Sequence, residues 1–565
     1  RALKVRIAGE LRLIAVEDAA RYRDALGVVP PAGLPEALLT PVRDPLGDLA
    51  LRYARTHAPF TAADFASRYA LATASAEAVL HRLTTEGRLL EGEFRPGGSH
   101  REWTDADVLR SIRRRSLARL RREVEPVDQA ALGRFAVAWQ GLQRKRRGAD
   151  ALLDVVEQLQ GAPLPASALE TDILPARLDG YDPADLDAVI AAGEVVWVGL
   201  EPLGGRDGRV ALFLTDHLPR LWPPQQAADA EPLSEREQAV VRFLTGHGAS
   251  FFEAIHDAAG GGYPAETVSA IWNLVWRGRV TNDTLHSLRA FTRVGTRPRR
   301  RASREAPAFR SRRLIPPSAE GRWTVVHTAG AGLVPPARGT IAAKTKARQD
   351  TTTWAAAVAH QLLNRHGVLT RESMGSEALA GGFGAVYAVL KAMEESGRIR
   401  RGYFVAGLGA AQFALPAALE QLRAQRDGSD TPSTVLLSAT DPANPYGSTL
   451  KWPASPGATQ GGRGATRTVG ASVILVGGAL AGYLGRGDRM LLAWTPDSEP
   501  EHSRTARALA HALLDRARAG GDAPRGMLIE EINGTPAALH ALAPVFLEAG
   551  FVAGALGLQA TRART

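Results

Sequence analysis

The feature that most constrains this chain is a recurring order of elements: two helical stretches, a turn, another helix, then two short strands. Its clearest copy begins near Leu46. Leu49, Leu51, Tyr53 and Ala54 give a helical stretch that Pro59-Phe60 breaks. Thr61 is placed to cap a helix over 62–69, and Thr73 or Ser75 opens a third that carries Ala78, Val79, Leu80 and Leu83 and ends at Glu86-Gly87. Residues 88–94 and 100–104 then read as a hairpin around Arg95-Pro96-Gly97-Gly98. A helix–turn–helix followed by a β-ribbon is the layout of a winged helix.

The order recurs three times. Helices over 152–159 and 185–192 precede strands over 194–200 and 209–214. Helices over 234–246, 249–258 and 265–277 precede a hairpin candidate at 278–282. Helices over 354–366, 371–378 and 384–396 precede a ribbon made of 397–404 and 412–415. One such pattern is common in helical proteins; four at intervals of roughly 80–100 residues are not. From Thr434 the pattern turns to strands at 435–437, 471–476 and 490–493, then a helix over 503–517, a strand over 527–532, a helix over 536–547 and a strand over 552–558. The expected class is α+β: tandem winged-helix domains followed by a C-terminal β-barrel-like module with a covering α/β segment. The division is a strand-rich start at 1–40 whose partners lie upstream, winged helices at 41–123, 124–228 and 229–292, a basic linker at 293–350 with a strand-like island at 322–326, a winged helix at 351–430, and the β-rich module at 431–565.

Charge suggests the partner. The 565 residues carry 69 Lys+Arg against 59 Asp+Glu, a net +10, and it is unevenly placed. Nine Arg and one Glu lie between Thr292 and Ile315, and seven Arg with no acid lie between Arg110 and Arg122. Such blocks favour phosphate partners, because neutralising phosphates releases condensed counterions; a solvated helix face or a linker has the same composition. The Arg-rich candidates for DNA contact are Arg113, Arg114 and Arg115, then Arg144, Lys145, Arg146 and Arg147, and residues 299–301. Arg400, Arg401 and Tyr403 share a predicted ribbon, where Tyr403, like Trp103 and Trp197, is a candidate for stacking on an unpaired base or for the core.

Absent motifs narrow the chemistry. The chain has no cysteine, which excludes disulfides, thiolate zinc, Fe–S clusters and a Cys nucleophile. There is no G-x-x-x-x-G-K-[ST] and no H-E-x-x-H, so neither Walker-type nucleotide binding nor a metal site is expected. No uninterrupted apolar run of about 18 residues occurs, so no spanning helix and no membrane partner are expected. The opening Arg1-Ala2-Leu3-Lys4 lacks Met and a signal-peptide core, which reads as a piece of a longer cytoplasmic protein.

The segment Ser438-Ala439-Thr440-Asp441-Pro442-Ala443-Asn444-Pro445-Tyr446-Gly447, with Leu450-Lys451-Trp452-Pro453, resembles the signature of the Lhr family of large helicase-related proteins. So do Gly397-Arg398-Ile399-Arg400-Arg401-Gly402-Tyr403-Phe404, Gly407-Leu408-Gly409-Ala410-Ala411-Gln412-Phe413 and Gly321-Arg322-Trp323. The likeness covers essentially the whole chain and is to the long region that follows the helicase core. It implies a DNA-binding and oligomerising part, most simply a homotetramer, of an ATP-dependent 3′-to-5′ DNA translocase and helicase acting in DNA repair at the bacterial nucleoid. ATP and Mg would then belong to an upstream motor, with no cofactor in this chain. The implied partner is DNA, single-stranded or as a tailed duplex, or an RNA:DNA hybrid.

The winged helices also resemble AlkZ-type DNA glycosylases, whose catalytic element is a Gln-apolar-Gln motif. Gln158-Leu159-Gln160 matches it. Two amides on one face would place a water against the sugar from which an extruded base departs; the alternative is that the motif simply ends a helix. Asp441 is a second catalytic candidate, as base or electrostatic partner, with Asp-Pro turn chemistry as the alternative. The resemblance suggests removal of uracil or an alkylated base but transfers no uracil-specific residue onto this sequence. Two functions therefore stand side by side, a DNA-binding region of a helicase and a glycosylase fused to its motor; a multi-winged-helix transcription factor is a weaker third. The stretches 473–483 and 541–558, apolar and Gly-rich, are expected to be core or a subunit contact.

Overall fold

The structure is a computed structural model that describes residues 2–7, 9–95, 100–223, 232–293, 316–326, 341–409, 411–429, 431–456, 464–518 and 526–560, with the backbone alone at 116–124 and 341–349. Most of the basic linker, with residues 299–301, lies outside the described residues, as do the hairpin tip at 96–99 and residues 461–463. Two units separate at the boundary between Glu125 and Pro126.

The first unit opens with β1 (Ala2–Ile7) and β2 (Glu10–Ala15). They pair antiparallel with each other, so the partner expected upstream is supplied by the hairpin itself. Helix α1 (Ala19–Leu26) follows, and α2 (Pro45–Thr56) starts where the Asp44 carboxylate accepts from the Gly47 amide. Buried Asp18 receives both Arg21 and Arg52, which ties these two helices. After β3 (Phe60–Thr61), Thr61 and Asp64 exchange side-chain and backbone hydrogen bonds, a capping box that fixes the start of α3 (Ala62–Tyr69). Helix α4 (Thr73–Thr85) then leads into β4 (Leu90–Gly92) and β5 (Glu102–Thr104), which complete a sheet in the order β3-β5-β4. This is the winged helix expected from the sequence. Helix α5 (Ala106–Val124) closes the unit.

The second unit begins with α6 (Gln129–Trp139) and α7 (Ala149–Leu159). Strand β6 (Leu164–Pro165), the short α8 (Ala166–Ala168), a π turn over Leu169–Ile173, α9 (Leu174–Arg177) and α10 (Pro183–Ala191) lead to the long hairpin β7 (Val195–Pro202) and β8 (Gly208–Leu214), then α11 (Leu218–Leu221). In the next repeat, α12 (Glu235–His247), β9 (Ser250–Phe251), α13 (Phe252–Ala258) and α14 (Pro264–Trp276) precede β10 (Val280–Asn282) and α15 (His286–Arg293). The hairpin expected at 278–282 is one strand; its partner is β11 (Arg322–Val325), the island within the basic stretch, and the order is β10-β11-β9. Trp323 explains the pairing: its ring is fully buried against the preceding domain core, which a five-residue hairpin alone would leave open.

A further repeat runs through α16 (Ile341–His366), β12 (Val368–Leu369), a 3-10 turn at Glu372–Ser376 in place of the expected helix, α17 (Gly382–Glu395), the wing strands β13 (Arg400–Gly402) and β14 (Gln412–Ala414), and α18 (Pro416–Ala424). The remaining part is not a closed barrel. Strands β15 (Thr434–Ser438), β16 (Ser472–Val476), β17 (Ala479–Leu484) and β18 (Met490–Ala493) form an open sheet, extended after α19 (Glu501–Arg518) and β19 (Met527–Ile529) by β20 (Glu531–Ile532) and β21 (Thr535–Pro536). Helix α20 (Ala543–Ala549) and the hairpin β22 (Val552–Gly554) and β23 (Gly557–Ala560) complete a second sheet with β19. The larger sheet does not need to close because both its faces are covered. Ile474 and Leu484 pack with α19, while Val473, Leu475 and Tyr483 pack with residues of α6 and α18. A sheet covered on both faces reads as a continuous apolar run, which is what 473–483 is; that stretch is internal.

Candidate functional site

Helix α7 ends at Leu159 because Gln160 turns extended (φ −55°, ψ 131°) and Gly161 takes a positive φ of 81°. The two amides of Gln158-Leu159-Gln160 therefore part company. The Gln158 side chain donates to the Trp139 carbonyl at 3.0 Å and lines a cavity of about 360 Å³ with Arg144, Arg146 and Arg177. Gln160 lines a separate cavity of about 140 Å³, walled by Phe213, Trp222 and Trp354 on one side and Gln361, Arg365 and Glu377 on another. The expected shared face for two amides is absent, as residues two apart at a helix end do not face each other.

Gln160 sits in a dense polar network. Its amide nitrogen donates to Gln361 Oε1 at 3.0 Å and lies 3.0 Å from His217 Nδ1. Gln361 in turn donates to the Glu157 and Gln158 carbonyls, at 2.9 and 3.0 Å, and so caps the exposed end of α7. Arg365 donates to the Gln160 carbonyl and to Glu377, whose other oxygen lies 2.6 Å from His366 Nε2. Burial pushes the Glu377 carboxyl up, but the Arg365 and His366 cations outweigh it and hold the group at about 2. Gln160 Oε1 and Arg365 Nε are buried with no hydrogen-bond partner in the structure.

Asp441 occupies a different environment. It is 1% exposed and takes two hydrogen bonds from Arg177, at 2.8 and 2.9 Å, and one from the Ala443 amide at 2.7 Å. Arg177, equally buried, also donates to Gln140 Oε1 at 2.6 Å and to the Ile173 carbonyl at 3.0 Å. Arg467 gathers the carbonyls of Thr440, Asp441, Asn444 and Tyr446, and burial lowers its pKa to about 10. The Asn444 side chain closes the turn by donating to the Ala439 carbonyl. Ser438 to Gly447 is thus a locked polar loop, and Asp441 stands behind the larger cavity, joined to it through Arg177.

The other predicted residues divide by exposure. Arg113, Arg114 and Arg115 are exposed on α5 of the first unit. In the second unit Lys145 donates to the Pro175 carbonyl, Arg146 pairs with Asp154 and Arg147 with Asp179, which leaves Arg144 to face the larger cavity. Arg400, Arg401 and Tyr403 are exposed together on or beside β13, with the Arg401 guanidinium 5.9 Å from the Phe413 ring centre and the Tyr403 hydroxyl accepting from Gly407. Trp103 and Trp197 are corrections to the stacking expectation. Trp103 sits on a central strand at 2% exposure, edge-on to His81, and Trp197 is fully buried with its indole N–H on the Thr284 carbonyl. Both face inward, so neither offers a ring to a base. His217, Gln361, Arg365, Glu377 and Trp354 carried no sequence signal, because they reach Gln160 only through the packing of two repeats. Among the described residues no helix is long and apolar enough to cross a membrane.

Family models of the large helicase-related protein winged-helix domain match residues 1–41, 127–215 and 348–434. A protein of Mycolicibacterium smegmatis named Lhr helicase/probable uracil glycosylase is 42% identical over 540 residues, 94% of this chain. One of Escherichia coli K12 named Lhr helicase/uracil glycosylase is 34% identical over 587 aligned residues, 98% of this chain. The chain belongs to the large helicase-related family. It spans 34% and 36% of the length of these relatives. The family's winged-helix models fall on the repeats that hold Gln158 and Gln160, and on the repeat that holds Gln361, Arg365, Glu377 and the Arg400–Tyr403 wing.

Proposed function

We propose that this chain is the DNA-engaging region of an ATP-dependent 3′-to-5′ DNA translocase and helicase that acts in DNA repair in the bacterial cytoplasm, at the nucleoid. The observation that carries this reading is the wing of β13, where Arg400, Arg401 and Tyr403 are exposed side by side. The guanidinium forks suit phosphate and the phenol ring suits an unpaired base. ATP and Mg belong in this reading to a motor elsewhere in the protein, and the chain assembles as a homotetramer. Binding to single-stranded, tailed-duplex and RNA:DNA hybrid probes, with and without Arg400→Glu/Arg401→Glu, tests the partner: binding that the double variant leaves unchanged overturns the reading. Light scattering over a range of concentrations tests assembly, since a mass of 60.2 kDa throughout means a monomer.

A second reading, DNA glycosylase action on uracil or an alkylated base, is favoured by the Gln160 cavity. Base excision breaks the bond between sugar and base, and water adds to the sugar carbon. The Gln160 amide and the ionised Glu377 carboxylate lie at the wall where such a sugar would present itself. Strand cleavage after alkali at a uracil, lost in Gln160→Leu and retained in a variant of a distant surface arginine, supports this; no cleavage by the intact chain rejects it.

A further inference from the structure

The cavity beside Gln160 has a size, a wall and an unmet hydrogen-bonding demand that together describe a ligand. Its volume is about 140 Å³. An apolar cavity of about 150 Å³ holds one benzene ring, so this space admits a single six-membered ring and is too small for the fused rings of a purine. Phe213, Trp222 and Trp354 supply flat apolar surface, and Gln160, Gln361 and Arg365 a polar edge. Gln160 is 2% exposed, Gln361 8% and Arg365 2%, so all three are held in place rather than solvated.

Two atoms on that edge lack partners. Gln160 Oε1 is an acceptor without a donor, and Arg365 Nε a donor without an acceptor. Native proteins rarely leave such groups unmet, because each forfeits its solvation. An imide edge, with an N–H next to a carbonyl, offers the complementary pair. We infer that this cavity is a nucleobase pocket that takes a single extruded pyrimidine of the uracil type and refuses purines. The inference rests on the glycosylase reading for its route of entry, since an extruded base is read by its pairing edge and by stacking against aromatic walls. It deepens that reading by placing the recognition residues on two different repeats: Gln160 and Phe213 on one, Trp354, Gln361 and Arg365 on the other.

Saturation-transfer NMR of the full chain with millimolar free uracil, and separately with adenine, tests the pocket itself. Uracil should receive saturation and adenine should not. Ala378 and Ala380 line the cavity from exposed positions, so Ala378→Trp, with Ala380→Trp as a second variant, fills the entrance without disturbing the core. Each should lower the uracil signal by about tenfold, a 1.4 kcal/mol loss of binding, with circular dichroism unchanged. No transfer to uracil, equal transfer to adenine, or uracil binding untouched in both variants overturns the inference. Excision of uracil from DNA is measured in parallel. Binding without excision removes the glycosylase reading and leaves the pocket; excision that survives both Trp variants leaves the reading and removes the pocket.

Discussion

Replacing Asp441 with alanine separates a catalytic carboxylate from a structural one. In the folded chain Asp441 and Arg177 are each about 1% exposed at the side chain and joined by two hydrogen bonds. Removing one partner of a buried pair leaves the other charged and uncompensated, which costs about 3–5 kcal/mol. Arg177 keeps two further acceptors, Gln140 and the Ile173 carbonyl, so the lower end, about 3 kcal/mol, is expected. Asp441→Asn keeps the amide-to-oxygen turn but loses the charge on the Arg177 bonds, and should cost about 2 kcal/mol. Replacing both partners, Arg177→Met with Asp441→Leu, removes the buried charge altogether and should fall within about 1 kcal/mol of the parent.

The unit from Pro126 to Thr565 holds several repeats and will not unfold in one step. The assay is therefore native-state hydrogen exchange at the amides of 438–447, where about 3 kcal/mol is a fall in protection of about a hundredfold. A faster exchange in Asp441→Ala, recovered in the double variant, is the expected result. If Asp441→Ala exchanges like the parent and only base excision is lost, Asp441 is a base or electrostatic partner of the reaction, and the structural account of the Arg177 pair is wrong.

Three further outcomes rest on the same kind of arithmetic. Glu377 is held at about 2 against an ordinary 4.5; because the folded value is the lower one, its contribution is complete above the ordinary value and is lost as pH falls from about 4.5 to 2, by on the order of 3 kcal/mol. A Glu377→Gln variant should be less stable at neutral pH and flatter across that window, and parallel stability curves for the two proteins would refute the pairing with Arg365 and His366. Single-stranded DNA affinity should fall steeply with salt, and Arg400→Glu/Arg401→Glu should reduce the logarithmic slope by about 0.7 for each phosphate that is no longer neutralised; a flat salt response in the parent would contradict electrostatic binding. Gly133→Ala should destabilise by about 1–3 kcal/mol, because a methyl there would stand 2.0 Å from the Gly478 carbonyl oxygen; an unchanged denaturation midpoint would show that α6 and the β16–β17 turn separate easily.

Sequence signals were sufficient wherever the determinant is local. Thr61 and Asp64, three residues apart, carry a helix start in full, and the strand–glycine–strand pattern around 203–208 carries the wing between β7 and β8. Exposed Arg400, Arg401 and Tyr403 were legible for the same reason, since charge on a short ribbon has nowhere to go but outward. Partnerships across the chain were not legible. β10 finds β11 some forty residues on, beyond the arginine-rich stretch, and periodicity says that Trp323 is buried without saying against what. The barrel-like expectation failed similarly, because an apolar run is compatible with a closed sheet and with an open one covered on both faces.

The site divides along the same line. Gln158 and Gln160 were visible as a motif, but their separation into two cavities depends on Gly161 and on the end of α7. Gln160 meets Gln361 across 201 residues of sequence, and Arg177 meets Asp441 across 264. Such pairs leave no spacing to recognise, and a motif search confined to one repeat assigns the amides a role without their partners. That has a consequence for function. Gln160 Oε1 and Arg365 Nε, the unpaired acceptor and donor, come from different winged helices, so the polar edge of the cavity exists only while the two repeats are packed together. A single repeat cut out at the family boundary near residue 215 keeps the Gln-Leu-Gln motif and loses Gln361, Arg365 and Glu377. It should therefore retain a folded winged helix by circular dichroism and show no saturation transfer to uracil. Uracil binding by that isolated repeat at the strength of the whole chain would place the pocket within one domain and refute the assembly of the site from two.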